Sequence, residues 1–348
     1  MERQKRSIVL CGVAQQSVWD NYVKACPSAT LSHQFAWQSI IKRAYGHDSL
    51  YLMACEGDSP VGILPLVLVK RPLLGASLTS MPFLDYGGVC ANDLDTAQAL
   101  VERAVALMTV HNSRSLELRQ PDATVQIGFS RQDKVSMILD LSRGSEAIWK
   151  ALPAKVRNQV RKAEKSGLTV SVGGRNLLDE FYDIFVVNMR DLGSPVHGKE
   201  FFVEMFSGLG ESVRMTIVRD GQRAVGGLVA LFFKDTMLVP WASSLREYFS
   251  KCPNNLLYWE AIQEGCKRRC ARFDFGRSTI DSGTYDFKKQ WGAQPKQLHW
   301  QLLSADGAVA STVSSDSAPY RFVSEVWKRL PAPVARLIGP SIRKYLTN

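Results

Sequence analysis

The sequence predicts a mixed α/β (α+β) protein of two tandem, related domains with mixed sheets, followed by a C-terminal helical tail. Three observations predict it. The 348 residues suffice for two domains with cores of their own, and a hydrophobic content of 45% with 22% charged residues is that of a globular chain. An internal echo links the halves: Glu56-Gly57-Asp58-Ser59-Pro60-Val61-Gly62 and Asp220-Gly221-Gln222-Arg223-Ala224-Val225-Gly226 both separate two apolar runs. The steps from Gly57 to Gly221 and from Gly62 to Gly226 are both 164 positions. Each echo is then followed by a strand, a helix and another strand in the same order.

In chain order, each echo reads as a hairpin with a Gly-containing turn. The second strands run over 63–69 and 228–233. Helices over 96–111 and 255–269 follow, each leading to a strand, at 116–118 and at 272–275. Between the halves the pattern is helical. A short helix over 145–152 precedes Pro153, which suits the first turn of the next helix. That helix, 154–166, ends at Gly167 and carries Val156, Val160 and Ala163 on one face. Amphipathic helices over 177–192 and 199–209 come next. Residues 304–319 read as a loop, 320–330 as a helix broken by Pro331-Ala332-Pro333, and 334–346 as a helix interrupted at Gly339-Pro340. The expected domains are 1–144, 145–303 and the tail 304–348.

The net charge of +10 and pI of about 9.3 favour anionic partners: RNA, sugar or lipid diphosphates, or an acidic membrane surface. The tail alternates apolar residues with Arg336, Arg343 and Lys344. It reads either as packed on the core or as lying on an anionic membrane. The seven cysteines are odd in number and scattered, so reduced thiols and no metal are expected. No apolar run reaches the roughly 20 residues of a membrane span, and none resembles a signal peptide. The expected location is cytoplasmic, with peripheral contact at the membrane's inner face as an extension.

The chemistry concentrates in Phe273-Asp274-Phe275-Gly276-Arg277-Ser278 and the following Gly283-Thr284-Tyr285-Asp286-Phe287-Lys288-Lys289-Gln290-Trp291-Gly292. Phe273 and Phe275 share a strand face, so Asp274 points to the other. Arg277 falls at the strand end. On the next helix Tyr285, Lys288 and Lys289 are spaced to cluster, and Phe287 and Trp291 anchor another face. Such an edge can stabilise negative charge developing on a carbonyl or phosphate. The same pattern also fits an acid–base pair tying strand to helix. Asp274 and Tyr285 are candidates to position or deprotonate a nucleophile. Arg157 and Arg161, with Lys165, form a row that suits phosphate oxygens or a solvated face. Asp85-Tyr86-Gly87-Gly88 is a turn that lets backbone approach a ligand, or a plain tight turn. The chain contains no serine-hydrolase elbow and no nucleotide-binding glycine signature.

The long C-terminal segment resembles the signature of the FemAB-like family, in the branch associated with exosortase/PEP-CTERM polysaccharide loci. Weaker pieces occur in matching order: Ser32-His33 with Trp37, Tyr45-Gly46-His47, Val61-Gly62-Ile63-Leu64-Pro65-Leu66, Asp85-Tyr86-Gly87-Gly88-Val89, Lys155 to Ala163, and Gly193-Ser194-Pro195-Val196. The resemblance spans residues 30 to 300. It implies two GNAT-like acyltransferase domains and transfer of an acyl or aminoacyl group to an amine or hydroxyl of a cell-envelope or exopolysaccharide precursor. It implies that Lys288, as part of a Phe-Lys pair, stabilises the tetrahedral oxyanion. It tips Arg157, Arg161 and Arg277 toward phosphates. It sets Asp85, Tyr86, Gly87, Trp37 and His197 at the substrate, although His197, which pairs with no other histidine at metal-ligand or triad spacing, fits a core or surface role as well. The implied partners are a sugar- or lipid-linked polyanionic acceptor and tRNA, with aminoacyl-tRNA or acyl-CoA as donor and no bound cofactor. Neither half carries the Q/R-x-x-G-x-G/A run of an ordinary acetyl-CoA-dependent GNAT enzyme: Pro240-Trp241-Ala242-Ser243-Ser244-Leu245-Arg246 has no glycine. The alternatives are an acyl-CoA-dependent N- or O-acyltransferase and a non-catalytic scaffold in polysaccharide export.

Overall fold

The computed structural model of the protein describes residues 6–72, 74–122, 125–306 and 318–347. The chain opens with β1 (Arg6–Cys11), α1 (Gln16–Ala25), α2 (Trp37–Tyr45), β2 (Asp48–Glu56), β3 (Ser59–Arg71) and β4 (Gly75–Thr79). It continues through β5 (Cys90–Ala91), α3 (Leu94–Val110), β6 (Ser113–Gln120), β7 (Phe129–Arg131), β8 (Lys134–Asp140), α4 (Gly144–Ala151), α5 (Ala154–Lys165) and β9 (Leu168–Gly173). Then come α6 (Leu178–Asp191), α7 (Lys199–Leu209), β10 (Val213–Asp220), β11 (Arg223–Phe233), β12 (Thr236–Ser244), α8 (Pro253–Lys267) and β13 (Arg272–Thr279). The last elements are α9 (Gly283–Lys289), β14 (Gln294–Gln297), β15 (His299–Ser304), α10 (Ala318–Lys328) and α11 (Ala332–Arg343).

The described strands form two mixed sheets, ordered β1-β2-β3-β4-β6-β15-β7, with β5 on β3, and β14-β8-β13-β12-β11-β10-β9. Starting from β1 in one and β9 in the other, the seven positions correspond. Each sheet has an antiparallel meander, β2-β3-β4 or β10-β11-β12. A helix then returns the chain to a strand parallel to the meander's last member, β6 on β4 and β13 on β12. Each is continued by an antiparallel strand from elsewhere in the sequence: β15 beside β6, and β8 beside β13. The expected boundaries at 144 and 303 follow the chain. The sheets do not, because a ladder needs an open edge and not sequence neighbourhood.

The hairpin echo extends to hydrogen-bond register. Ala54 faces Gly62 and Cys55 faces Pro60 across a bulge, while Val218 faces Gly226 and Arg219 faces Ala224 across another. Every partner in the second set is 164 positions beyond its counterpart. Gly57 and Gly221, each first in a two-residue loop, both have φ of +58°, which a hairpin turn of this length requires. Gly62 is bare for a second reason. A Cβ there would lie 2.7 Å from Thr96 Cγ2, so glycine admits the start of α3.

Each sheet has its own core. Leu100, Val101, Ala104, Leu107 and Met108 of α3 pack with Leu52, Leu64 and Leu66. Leu257, Ala261 and Ile262 of α8 pack with Leu228, Val239, Phe273 and Phe275. The described elements gather into two units: β1 to β7 with β15 and the residues from Tyr345, and β8 to β14 with α10 and α11.

The tail differs from expectation in one respect. α11 is not interrupted at Gly339-Pro340 but runs through them to Arg343. Proline removes a single backbone donor near the helix end. Gly339 compensates by close packing, since a Cβ there would lie 2.9 Å from Val196 Cγ1. Most of the expected loop, 307–317, lies outside the described residues. Among the described residues no helix is long and apolar enough to cross a membrane.

Candidate active site

β12 and β13 pair at only three positions, Thr236↔Arg272, Met237↔Phe273 and Leu238↔Asp274. Beyond them β12 continues to Ser244 along β11, and β13 continues along β8. The two strands part, and their facing edges leave the ladder. Backbone groups released in this way need other partners, and a ligand's amides or phosphates can be such partners.

At the parting β13 bulges. Its register against β8 shifts between Asp274 and Arg277, and Gly276 takes φ +73°. Asp274 Oδ1 accepts the Gly276 N–H at 2.8 Å and the Ser136 hydroxyl at 2.5 Å. Lys288 Nζ donates to the carbonyls of Gly276 and Arg277, both at 2.9 Å. Asp274 is 3% exposed and Lys288 8%. The acid and the base therefore meet at Gly276, one holding its donor and the other its acceptor. A buried bulge without these partners would leave peptide groups unsatisfied, at about 1–3 kcal/mol each.

α9 delivers the lysine. Ser282 caps it by accepting the Tyr285 N–H at 3.3 Å, and Phe287 and Trp291 clamp it onto Tyr258. Phe273 and Phe275, 4.5 Å apart, lie in the same core, as the alternation predicts. The three polar tips of α9 do not form one cluster. Lys288 turns to the strand carbonyls, and the Lys289 ammonium sits 5.8 Å over the half-buried Tyr285 ring. Arg277 is half-buried on β13, and the buried Ser278 hydroxyl beside it has no partner among the described residues.

A second polar group, missed in the sequence, ties the end of β12 to the start of α8. Ser243 donates to Asn188 Oδ1 at 3.0 Å, Asn188 to the Ser244 carbonyl at 3.4 Å, and Ser244 to Asn254 Oδ1 at 2.6 Å. The paired Ser243-Ser244 and Asn254-Asn255 at a strand end and helix start were the available signal. α8 is entered through Cys252 in the left-handed conformation, φ +57°, so the junction turns without glycine. Asn255 reaches Gln159 on α5 at 3.3 Å. On that helix Val156, Val160 and Ala163 are buried as expected. Arg157 Nε is buried without a partner among the described residues, and the Arg161 guanidinium lies 5.6 Å over Trp149. A cavity of about 860 Å³ is lined by α6 residues including Glu180 and Arg190, by Arg223, and by Leu245 to Glu247 after β12. None of the sequence-predicted site residues lines it.

The remaining candidates, Trp37, Asp85, Tyr86, Gly87 and His197, are wholly or partly buried. Trp37 begins α2, is fully buried, and donates to the Leu31 carbonyl at 3.0 Å. Tyr86 is buried with Leu298 and Trp300, and Trp300 Nε1 donates to the carbonyl of half-buried Asp85 at 3.1 Å. The space beside Gly87 and Gly88, expected to admit a ligand, is taken by the Met81 and Gln120 side chains. His197 is buried among Phe185, Phe201 and Trp241, with Arg343 Nε 3.1 Å from its Nε2. Burial, and secondarily the Arg343 charge, hold its pKa well below the usual imidazole value. Among the described residues no cluster of three or more His, Cys, Asp or Glu is arranged for a metal, and all seven cysteines are thiols.

Comparison with known proteins bears on the fold. Residues 152–289 match the family model described as the acetyltransferase (GNAT) domain. The matched segment holds the parting strands, the bulge and Lys288. No curated protein sequence matches the chain. Among solved structures the chain is similar to FemX, at 13% identity over 85% of this chain and 97% of that one, with a TM-score of 0.67. It is also similar to a tandem GNAT protein from the clavulanic acid biosynthesis pathway, at 11% identity over 86% and 99%, with a TM-score of 0.55. L-PGS from Bacillus licheniformis is similar at 12% identity over 93% and 96%, with a TM-score of 0.55. At such identities the likeness is one of fold. The chain has a tandem GNAT-like fold, and its second unit carries the acyltransferase-type domain.

Proposed function

We propose that the protein is an acyl- or aminoacyltransferase of FemAB type. It moves an acyl or aminoacyl group from an activated ester to an amine or hydroxyl of a sugar- or lipid-linked precursor of the cell envelope or exopolysaccharide. The observation that carries this reading is the parting of β12 and β13 with a buried lysine fixed at the bulge. The acceptor's nitrogen or oxygen attacks the ester carbonyl, forming the new bond and a tetrahedral oxyanion. The bond to the donor's ribose oxygen then breaks, or the bond to sulfur where the donor is a thioester. Lys288 stabilises the oxyanion from the bulge, where the Gly276 and Arg277 carbonyls hold its ammonium. Asp274 works by holding the bulge, and Tyr285 orients the nucleophile and relays its proton, the phenol giving its own proton to the departing oxygen or sulfur as it accepts the one from the nucleophile. Arg277, Arg157 and Arg161 bind the phosphates of donor or acceptor. The protein works from the cytoplasm.

The test is transfer by the purified protein to a lipid-linked sugar extract, with labelled aminoacyl-tRNA and acyl-CoA offered separately. Lys288→Met should lower turnover about 10²- to 10³-fold while leaving the circular dichroism spectrum unchanged. A folded Lys288→Met protein with full turnover refutes the assignment. Thermal stabilisation by acetyl-CoA and not by aminoacyl-tRNA would favour the acyl-CoA donor, which the match to the acetyltransferase model makes the second reading.

A further inference from the structure

The two tail helices pack on α6 in an inverted way. α11 buries Ala335 and Gly339, its smallest side chains, and α10 buries Trp327. Arg336 pairs with Asp183, and Arg343 reaches His197, so α11 is tied to the unit by polar as well as small contacts. The large apolar residues face outward. Leu337 is 79% exposed and Phe322 70%, and Val323, Val326, Ile338 and Ile342 are exposed with them. Phe322 and Val326 are one turn apart, as are Ile338 and Ile342, so each helix carries a stripe. A helix that only covered its own unit would bury leucine and isoleucine and expose alanine and glycine. A contiguous exposed apolar surface marks an interaction site.

Charge identifies the occupant. Residues 318–344 contain six Lys and Arg and one acidic residue, Glu325, and the whole chain carries +10. A second copy of the chain would oppose that charge with the same charge. Arg336, Arg343 and Lys328 are engaged within the protein, but the excess of positive charge on these two helices, with their outward apolar residues, fits the boundary layer of an anionic bilayer, where side chains enter the acyl region and cations meet lipid phosphates.

We propose that α10 and α11 form an interfacial anchor that lays the stripe from Phe322 to Ile342 on an anionic phospholipid surface without crossing it. The anchor requires no step of the transfer reaction. The test is co-flotation of the full-length protein with phosphatidylcholine vesicles with or without phosphatidylglycerol. Binding is expected on the anionic vesicles and about ten-fold or more weaker on the neutral ones. Leu337→Glu with Ile338→Glu, at exposed positions that leave the fold intact, should weaken binding about a hundred-fold. Lys288→Met should bind like the wild type, which separates failure of the anchor from failure of the transferase reading. Three results overturn the proposal: no binding to either vesicle, equal binding by the double variant, or a dimer in sedimentation equilibrium that the double variant abolishes. The last would assign the face to a second copy.

Discussion

The two sheets share one frame and end it differently. In the first, β4 and β6 pair in parallel over Ala76↔Ser113, Leu78↔Leu116 and Thr79↔Glu117, then part. Residues 80–88 of the chain itself fill the opening. The Ser80 N–H bonds the Glu117 carbonyl, the Gly88 N–H bonds the Arg119 carbonyl, and buried Arg119 donates to the carbonyls of Leu84 and Thr347 at 2.6 and 2.7 Å. Its guanidinium also lies 4.2 Å over Trp300. In the second sheet β12 runs on past the parting, and Asp274 and Lys288 fasten the bulge. Duplication supplied two openings of one design. One is closed by the chain's own loop and a buried arginine; the other keeps a charged edge. The residues that match the GNAT model, 152–289, lie in the second unit, where the proposed function puts its chemistry.

The comparison breaks most sharply at its two buried cations. Arg119→Met would strand two carbonyls and the Glu117 carboxylate, which bonds Arg119 Nε at 2.7 Å. The expected loss is about 3–5 kcal/mol of stability, read from the urea midpoint, with transfer per folded molecule unchanged. Lys288→Met should show the reverse emphasis, with a fall of about 10²- to 10³-fold in turnover and a smaller shift in midpoint. Were Arg119→Met to abolish transfer in molecules that remain folded, the first opening would also be catalytic and the asymmetry would fail.

Much of this frame was legible in the sequence, and the illegible part has a common cause. The Gly57/Gly221 and Gly62/Gly226 spacing announced the repeat because a turn and a close helix approach both leave glycine as their mark. Phe273 and Phe275 announced a strand face by alternation. Residue chemistry flagged Asp274 and Lys288, but their destination, the peptide groups of Gly276, depends on a bulge that no local pattern encodes. The exchange of β8 and β15 between sheets is likewise a long-range pairing. Trp37 and His197 stand in family-like segments, and both are buried, which no local pattern announces. Gly339-Pro340 carries the signature of a helix stop, and only the contact with Val196 shows why the helix continues.

His197 gives the next largest effect. Its folded-state pKa is lowered, first by burial and then by Arg343, so the native state favours the neutral ring. The unfolded chain takes up the proton near pH 6.5, and the native state does not. Stability is therefore complete above that value and falls as the pH drops below it, by about 1.4 kcal/mol per pH unit. Melting temperatures recorded from pH 8 to pH 5 should show this slope, and His197→Gln should flatten it. A wild-type curve that is flat over this range would mean that the ring titrates normally and reaches solvent, as a substrate-binding histidine would.

The smallest effect tests whether the repeat is energetic as well as geometric. Gly57 and Gly221 occupy the same place in hairpins of identical register, and both have φ of +58°. A Cβ at Gly221 would meet nothing within 4 Å, so substitution there costs backbone strain and little else. Gly221→Ala should therefore lose about 1 kcal/mol, the price of left-handed backbone for an L-residue. Gly57→Ala should lose the same to within about 0.5 kcal/mol, because its backbone conformation and register are the same. A markedly larger loss at Gly57 would show that the first hairpin carries strain or contacts absent from the second. The two halves would then share a path of the backbone without sharing its energetics, and the closed first opening would have changed the sheet well beyond residues 80–88.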